Sequence, residues 1–242
     1  MTAIKTAMVL AAGIGARMRP ITERTPKALI PVRGRALLDH ALDRLIAHGV
    51  ERVVVNAHWL GDKVVAHLAG RTDIPLEVIR EPALLETGGG VRNALEKLGD
   101  DPFFVVNSDA LWLDGLIPAL ERLETAWRPA DMDALLLLHR VVHADGYDGP
   151  GDFHADPNGQ LTRRRDSEQA PYVFAGVHIC KPALVASEPA EAFSMNRVWN
   201  RIQETERLFG LVHDGLWFHL SAPADLRATE RYLDQRFPDR LI

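Results

Sequence analysis

The 242-residue chain contains a single cysteine, Cys180, and lacks any long hydrophobic run. One cysteine cannot form an internal disulfide or supply a cysteine-based zinc cage. We expect Cys180 to be a small buried apolar residue in a reduced, cytoplasmic protein. No apolar stretch approaches the roughly 20 residues that a membrane span requires. Residues 6–16 are apolar, but Gly13 and Gly15 interrupt them, so we interpret them as a strand and a loop rather than a signal peptide. We therefore expect no membrane partner.

An excess of positive charge is also missing. The chain has 28 Lys and Arg against 33 Asp and Glu, which gives a formal net charge of −5. The only dense basic block is Arg163, Arg164 and Arg165, whereas binding to a nucleic acid backbone needs an extended basic surface. We therefore expect no nucleic acid partner. The sequence also lacks fixed-period repeats, low-complexity tracts and a convincing linker, which predicts one domain over residues 1–242.

Strand-like and helix-like segments alternate through the first half of the chain. Apolar runs predict strands at 7–10, 53–56, 76–79 and 103–106, and apolar residues at helical spacing predict helices at 37–46, 61–68 and 90–98. Further along, we predict strands at 134–138 and 172–180, a loop over 146–159 and a closing helix near 226–233. This alternation is typical of an α/β fold whose mostly parallel sheet is covered on both faces. Such sheets bind ligands beyond the carboxyl ends of their strands.

A glycine-rich segment follows the first predicted strand. Residues 10–18 have the sequence LAAGIGARM, and TPK follows at 25–27. Small residues after a strand let the backbone approach a phosphate closely, and Arg17 and Lys27 can offset the phosphate charge. A dinucleotide-binding pattern would need glycine or alanine where Met18 stands, and an acidic residue where Asn56 closes the second strand. A nicotinamide-dependent oxidoreductase is therefore disfavoured.

Two further segments are candidates for ligand binding. Residues 86–90 have the sequence ETGGG, and three successive glycines weaken a fold unless the backbone must approach something closely, such as a flat nucleobase. Asp109 follows a predicted buried strand, where a carboxylate can hold Mg²⁺ against ligand phosphates. The alternatives are ordinary helix caps, by Thr87 in the first case and by Asp109 in the second.

Together these motifs resemble the sugar-1-phosphate nucleotidyltransferases, whose pattern is LAAGxGxRM, then TPK, then ExGGG or a near relative, then an Asp that closes a strand. The resemblance covers nearly the whole chain. It implies a Rossmann-like three-layer α/β/α sandwich with a mostly parallel mixed sheet, the nucleotide-diphospho-sugar transferase fold. It also implies a reaction that joins a nucleoside triphosphate to a sugar 1-phosphate and releases pyrophosphate.

Within that family the chain is similar to a short branch of uridylyl- and guanylyltransferases. The supporting segments are VNAHWLG at 55–61, LETGGG at 85–90, GDF at 151–153 and FAG at 174–176. The resemblance favours UTP and N-acetylmuramate 1-phosphate as substrates, in cell-wall recycling. Two alternatives stay open: a mannose-1-phosphate guanylyltransferase-like enzyme, and a non-catalytic nucleotide-sugar-binding regulatory protein on the same fold. The oligomeric state is expected to be a monomer or a small homo-oligomer.

The resemblance also implies roles for individual residues. Arg17, Lys27 and Asp109 would be catalytic. The nucleotide-binding residues would be Ala11, Ala12, Gly13, Gly15, Arg17, Asn56, Glu81 and Gly88. The sugar-binding residues would be Glu86, Asn107, Asp152 and Gly176. The metal ligands would be Asp109 and His219, and the expected cofactor is Mg²⁺.

Two departures from the family pattern affect this assignment. The family usually has WxDxGT late in the chain, with the Asp as second metal ligand, whereas residues 217–222 here are WFHLSA and His219 takes the place of the Asp. Imidazole suits Mn²⁺ or Co²⁺ better than Mg²⁺. His219 is therefore expected to ligate with an altered metal preference, to leave the metal mainly on Asp109, or simply to pack. An EKP sugar-binding motif is also missing near residues 164–166, so the sugar contacts of larger relatives cannot be transferred.

Overall fold

The computed structural model of the protein describes residues 3–238, and its main feature is a mixed β-sheet. The strands are β1 (Thr6–Leu10), β2 (Pro31–Val32), β3 (Arg35–Ala36), β4 (Arg52–Ala57), β5 (Leu76–Arg80), β6 (Phe103–Asn107), β7 (Leu111–Leu113), β8 (Ala134–Arg140), β9 (Phe153–Ala155), β10 (Leu161–Arg163), β11 (Tyr172–Cys180), β12 (Leu208–Val212) and β13 (Leu216–Phe218). The helices are α1 (Leu37–His48), α2 (Gly61–Leu68), α3 (Glu86–Leu98), α4 (Ala119–Ala126), α5 (Pro182–Ala186), α6 (Met195–Gln203) and α7 (Pro223–Arg236).

The centre of the main sheet is parallel. Strand β1 pairs in parallel with β4 on one side and β6 on the other, so that Val9 lies opposite both Val55 and Val106. Strand β5 extends this parallel group beyond β4. Strand β11 runs antiparallel to β6 and β8, and β12 pairs in parallel with β8. The carboxyl ends of β1, β4 and β6 therefore meet at one edge of the sheet, where the predicted site residues lie.

Helices cover both faces of this sheet because its central strands are apolar on both sides. Alternate residues of β1 belong to different clusters: Ala7 and Val9 pack with residues of α1, α2 and α4, whereas Met8 packs with residues of α3, α5 and α6. This period-2 alternation places one apolar layer above and one below the sheet. The predicted three-layer α/β/α sandwich with a mostly parallel mixed sheet is confirmed.

The predicted elements of the first half match the structure, with one shift. Helix α3 begins at Glu86 rather than at residue 90, so the three glycines lie inside its first turns. In the second half, the predicted loop over 146–159 contains the short strand β9, which pairs with β10. The sequence analysis does not predict β2, β3, α4, α5, α6, β7, β10, β12 or β13, which are short or follow irregular segments. Cys180 is buried as predicted, and burial raises the pKa of its thiol. Within residues 3–238, every helix is too short or too polar to cross a membrane.

Candidate active site

The glycine-rich loop after β1 is bent at Gly15. This residue adopts a left-handed conformation with φ of 64°, and a Cβ atom there would lie 2.9 Å from the methyl carbon of Thr22. The Thr22 hydroxyl donates a hydrogen bond of 2.8 Å to the Gly15 carbonyl, which fixes the bend. A short 3-10 turn then buries Met18 and leaves Arg17 exposed. Gly13 has open space where a side chain would stand, so a ligand can approach its backbone.

A buried pair of polar side chains braces the start of this loop. The Asn56 side-chain oxygen accepts a hydrogen bond of 2.8 Å from the Ala11 amide, and its side-chain nitrogen donates one of 2.7 Å to Glu81. The other Glu81 oxygen accepts from the Leu85 amide at 3.3 Å. Glu81 is only 4% exposed, and burial raises the pKa of its carboxyl, against the opposing effect of the Asn56 hydrogen bond. The pair therefore joins the loop after β1 to the segment before α3.

The glycines of α3 make close contacts with the protein itself. A Cβ atom on Gly88 would lie 2.3 Å from the Phe193 ring, and one on Gly90 would lie 2.7 Å from the Asn56 side-chain nitrogen. The amides of Gly88 and Gly89 donate hydrogen bonds of 2.9 and 3.0 Å to the Phe193 carbonyl. The close approach at Gly88 and Gly89 is thus made by the segment before α6, and the approach at Gly90 is made by Asn56. The Gly88 amide is already bonded and is not available to a nucleobase.

A cleft of about 400 Å³ opens between the loop after β1, the start of α3 and the end of β6. It is lined by Leu10, Ala11, Ala12, Gly13, Lys27, Ala28, Asn56, Leu84, Glu86, Thr87, Asn107, Ser108, Asp109 and Ser194. We call it the first cavity. Several of its lining residues are small, and the hydroxyl of Thr87, which also lines it, accepts a hydrogen bond of 2.9 Å from the Met195 amide.

A second cavity, of about 260 Å³, lies on the other side of Lys27. It is lined by Arg17, Lys27, Asn107, Asp109, Ala110, Tyr147, Asp152, Val173, Phe174, Ala175, Gly176, Trp217, Phe218, His219 and Leu220. Pairing of β13 with β7 sets the position of Trp217, whose indole nitrogen donates a hydrogen bond of 3.0 Å to the Ala175 carbonyl. Aromatic residues, among them Tyr147, Phe174 and Trp217, therefore form part of its wall.

The two cavities meet at Lys27, Asn107 and Asp109, which line both of them. The Lys27 ammonium lies 2.5 Å from a carboxylate oxygen of Asp109. The side chains of Lys27 and Asp109 are 17% and 36% exposed, so both groups can be reached from the cavities. A cation and a carboxylate at the junction of two clefts can act on phosphates that arrive from either side.

His219 lies in the second cavity with its ring against two aromatic rings. Its ring centre is 5.3 Å from that of Tyr147 and 5.7 Å from that of Trp217. Burial lowers the pKa of the His219 imidazole, and Arg17 and Lys27 lower it further by charge repulsion. No group of three or more His, Cys, Asp or Glu side chains within residues 3–238 is arranged to hold a metal ion. A metal at Asp109 and His219 would therefore need ligand oxygens to complete its coordination.

The predicted site residues lie in the first cavity, in the second cavity, or in the backbone support around them. The first cavity contains Ala11, Ala12, Gly13, Asn56 and Glu86, and the second contains Arg17, Asp152, Gly176 and His219, with Lys27, Asn107 and Asp109 in both. Gly15, Glu81 and Gly88 are absent from both linings and support the neighbouring backbone instead. Glu86, a predicted sugar residue, lines the first cavity, and Arg17, a predicted nucleotide residue, lines the second. Both roles stay predictions.

Sequence reasoning missed several lining residues. Trp217 stands two positions before His219, and the departure from the family pattern at His219 was a signal for this segment. Tyr147 lies in a segment predicted as a loop, and its neighbours gave no signal. Leu84 and Ser194 also gave none, because a long stretch of chain separates Ser194 from the other residues of the first cavity.

A Rossmann-like sheet that carries a glycine-rich loop and two joined cavities at its carboxyl edge is the arrangement expected of a nucleotidyltransferase, and comparisons with known proteins show that class. The model of the MobA-like NTP transferase domain family matches residues 7–208, and the chain belongs to that family. The predicted resemblance to the sugar-1-phosphate nucleotidyltransferases is confirmed, and the protein is an enzyme of that type.

Individual relatives extend this result. The N-acetylmuramate alpha-1-phosphate uridylyltransferase of Caulobacter vibrioides is 42% identical over 234 residues, which are 95% of this chain and 97% of that protein. The enzyme of the same name from Neisseria meningitidis is 31% identical over 228 residues, which are 93% of this chain and 96% of that protein. Among solved structures, the UDP-glucose pyrophosphorylase from Acinetobacter baumanii has a TM-score of 0.80 at 17% identity and covers 98% of this chain and 95% of its own. That similarity shows the nucleotide-diphospho-sugar transferase fold.

Proposed function

We propose that the protein transfers a uridylyl group from UTP to N-acetylmuramate 1-phosphate, which yields the nucleotide sugar and pyrophosphate. The observation that carries the proposal is the junction at Lys27, Asn107 and Asp109, where two cavities of suitable size open onto one ion pair. The choice of substrates is supported by the two uridylyltransferases that match almost the whole chain. Such an activity would serve cell-wall recycling in the cytoplasm, where UTP is supplied.

The first cavity suits the nucleotide. Gly13 lies just after β1 and has open space beside its backbone, where a phosphate can approach, whereas the Ala11 amide is already bonded to Asn56. Polar side chains at Thr87 and Ser194 stand at the opposite wall, where a base can lie. The second cavity suits the sugar, because aromatic rings such as Tyr147 and Trp217 offer flat apolar faces to a pyranose.

The reaction follows from this arrangement. A phosphate oxygen of the sugar 1-phosphate, entering from the second cavity, attacks the α-phosphorus of the nucleotide in line with the departing pyrophosphate. The oxygen is already anionic, so no general base is needed, and the protein must mainly align two anions that repel each other. Lys27 stands at the junction, and we propose that its ammonium leaves Asp109 to bind the phosphates. Arg17, at the second cavity, offsets the charge of the sugar phosphate.

The residues at the junction also fit a divalent cation. Asp109 supplies a carboxylate that lines both cavities, and phosphate oxygens would complete the octahedral shell that Mg²⁺ prefers. When bound there, Mg²⁺ would neutralise charge on the reacting phosphates. We propose Asp109 as its main protein ligand. The prediction that His219 also ligates remains, and such ligation would favour Mn²⁺ or Co²⁺.

A substrate matrix tests the proposed function. Four nucleoside triphosphates are combined with the 1-phosphates of N-acetylmuramate, N-acetylglucosamine and mannose, and pyrophosphate release is measured with Mg²⁺ or Mn²⁺. We expect the highest kcat/KM for UTP with N-acetylmuramate 1-phosphate. Preference for GTP with mannose 1-phosphate would indicate the guanylyltransferase alternative. Binding of nucleotide sugars without turnover under any of the metals would indicate the regulatory alternative.

A further inference from the structure

The basic block at residues 163–165 takes no part in the proposed mechanism, yet it borders the second cavity. Strands β9 and β10 pair with Phe153 opposite Arg163. Arg164, which directly follows β10, therefore stands opposite Asp152, which directly precedes β9, and its amide donates a hydrogen bond of 3.0 Å to the Asp152 carbonyl. Asp152 belongs to the lining of the second cavity, and Arg164 stands outside that lining. The strand pairing thus places Arg164 next to the wall of the cavity.

The side chain of Arg164 joins two segments of the chain. Its Nε donates a hydrogen bond of 2.8 Å to the Gly151 carbonyl, in the segment that precedes β9. Its Nη1 donates hydrogen bonds of 3.1 and 3.3 Å to the carbonyls of Arg165 and Asp166, in the turn after β10. Because a guanidinium is a rigid planar fork, these bonds fix the position of the Gly151 carbonyl relative to that turn.

Gly151 passes this restraint on to a side chain of the cavity. Its amide donates a hydrogen bond of 3.1 Å to the hydroxyl of Tyr147, which lines the second cavity. Gly151 has a left-handed φ of 77°, and a Cβ atom there would overlap the Ala170 carbonyl oxygen, so its backbone is closely packed. Gly151 is therefore held by Arg164 through its carbonyl and holds Tyr147 through its amide.

We propose that Arg164 is a positioning residue for the sugar 1-phosphate, which acts through Gly151 to hold Tyr147 in the wall of the second cavity. The inference rests on the proposed function, in which the second cavity takes the sugar and Tyr147 offers it a flat face. A side chain that is fixed before the substrate arrives loses little freedom on binding. Loss of Arg164 should therefore weaken binding of the sugar phosphate and leave binding of UTP in the first cavity unchanged.

The experiment compares wild type with Arg164→Ala and Arg164→Lys, and Arg165→Ala is the matched control. The Arg165 side chain is 86% exposed and lies 3.9 Å from Glu168, so its removal takes away a neighbouring positive charge without touching Gly151. The KM for UTP, the KM for N-acetylmuramate 1-phosphate, kcat and Tm are measured for each protein.

We expect Arg164→Ala to raise the KM for N-acetylmuramate 1-phosphate by about 3- to 15-fold, the effect of one hydrogen bond, while the KM for UTP stays within about twofold. Arg164→Lys keeps the charge and one donor but lacks the fork, so it should recover only part of this loss. Arg165→Ala should leave both KM values within about twofold of wild type.

A double variant tests the route through Gly151. Tyr147→Phe removes the hydroxyl that accepts the Gly151 hydrogen bond and keeps the ring. When it is combined with Arg164→Ala, the two increases in KM should not multiply, because both changes break the same connection. Increases that multiply would overturn this route, since Arg164 would then act on the sugar phosphate independently of Tyr147.

The inference is also overturned if Arg164→Ala leaves the KM for the sugar phosphate unchanged, or raises both KM values equally while lowering Tm, since Arg164 would then support the fold alone. If Arg164→Ala fails to fold, the comparison of Arg164→Lys with Arg165→Ala decides the question. Failure of the proposed function is a separate result, seen in wild type as absence of uridylyl transfer to N-acetylmuramate 1-phosphate. The same comparison is then made with the acceptor that wild type does use, or with calorimetric binding of N-acetylmuramate 1-phosphate if it uses none.

Discussion

Replacement of Asn56 by aspartate should make the stability of the protein depend strongly on pH. Asn56 donates a hydrogen bond of 2.7 Å to Glu81 and accepts one of 2.8 Å from the Ala11 amide. Asn56→Asp keeps the acceptor but replaces the donor by a second buried carboxyl group. Two carboxylates at that distance cannot both be ionised, so one of them must hold a proton in the folded state.

The loss of stability in Asn56→Asp equals the free energy needed to keep this proton bound in the folded state. Burial already raises the pKa of Glu81 above its usual value of 4.5, and the new neighbour raises the shared pKa further. The folded variant then holds a proton that the unfolded chain releases, so its stability is highest at low pH and falls as pH rises. Holding that proton costs up to about 4 kcal/mol at pH 7.5 but under about 1 kcal/mol at pH 5, at roughly 1.4 kcal/mol per pH unit.

Urea unfolding at pH 5 and pH 7.5 measures this difference, with wild type at each pH as the reference. For a chain of this length, a loss of about 3 kcal/mol also lowers Tm by roughly 6 to 12 °C. The matched control is the double variant Asn56→Asp with Glu81→Gln, which restores one donor and one acceptor. It should remove most of the pH dependence.

The reasoning is refuted if Asn56→Asp destabilises the protein equally at both pH values, or if the double variant retains the dependence. Either result would mean that the two carboxyl groups of the Asn56→Asp variant do not share a buried proton. A second readout is the KM for UTP, which should rise in Asn56→Asp at pH 7.5 because Ala11 begins the loop that lines the first cavity.

Three further predictions concern other parts of the site. Lys27→Ala should lower kcat by roughly 10²- to 10³-fold while Tm stays nearly constant, since a partly exposed ion pair contributes little stability; unchanged pyrophosphate release would remove Lys27 from the mechanism. Gly88→Ala should destabilise the protein by about 1–3 kcal/mol in urea unfolding, because its Cβ would lie 2.3 Å from the Phe193 ring. Phe193→Leu in the same chain should recover part of that loss, and no recovery would place the strain elsewhere. Trp217→Phe should lose about 1 kcal/mol with its hydrogen bond and raise the KM for the sugar phosphate more than the KM for UTP; equal increases would contradict its place in the second cavity.

The central sheet could be predicted because its signals are local. Val53, Val54 and Val55 form a continuous apolar run, and such runs occur where a strand is covered on both faces. Gly49 marks the end of α1 in the sequence and follows its last residue in the structure. By contrast, β13 has three residues and is held by pairing with β7. A strand that depends on a distant partner leaves no periodic pattern of its own.

In the candidate active site, too, local features could be predicted from the sequence and distant partners could not. The loop at residues 11–17 and Asp109 were found because small residues and a carboxylate directly follow strands. The glycines at 88–90 were also singled out, and the role of Gly88 beside a nucleobase stays a prediction. Phe193, more than a hundred residues away, makes the close approach, and no local pattern indicates such a partner. The ETGGG motif thus indicated a tight contact at α3, but the partner within the protein could not be predicted from it.

The sharing of Lys27, Asn107 and Asp109 between two cavities has a thermodynamic consequence. A ligand in one cavity that draws the ammonium away from the carboxylate changes the free energy of binding in the other. Such coupling is reciprocal, so each substrate must alter the affinity of the other by the same factor. Two calorimetric titrations measure this coupling. The sugar phosphate is titrated with and without a non-hydrolysable nucleotide, and the nucleotide with and without sugar phosphate. Both pairs of titrations should give the same coupling free energy. If Lys27 leaves Asp109 on binding as proposed, these three side chains would couple the occupancy of the two adjacent cavities.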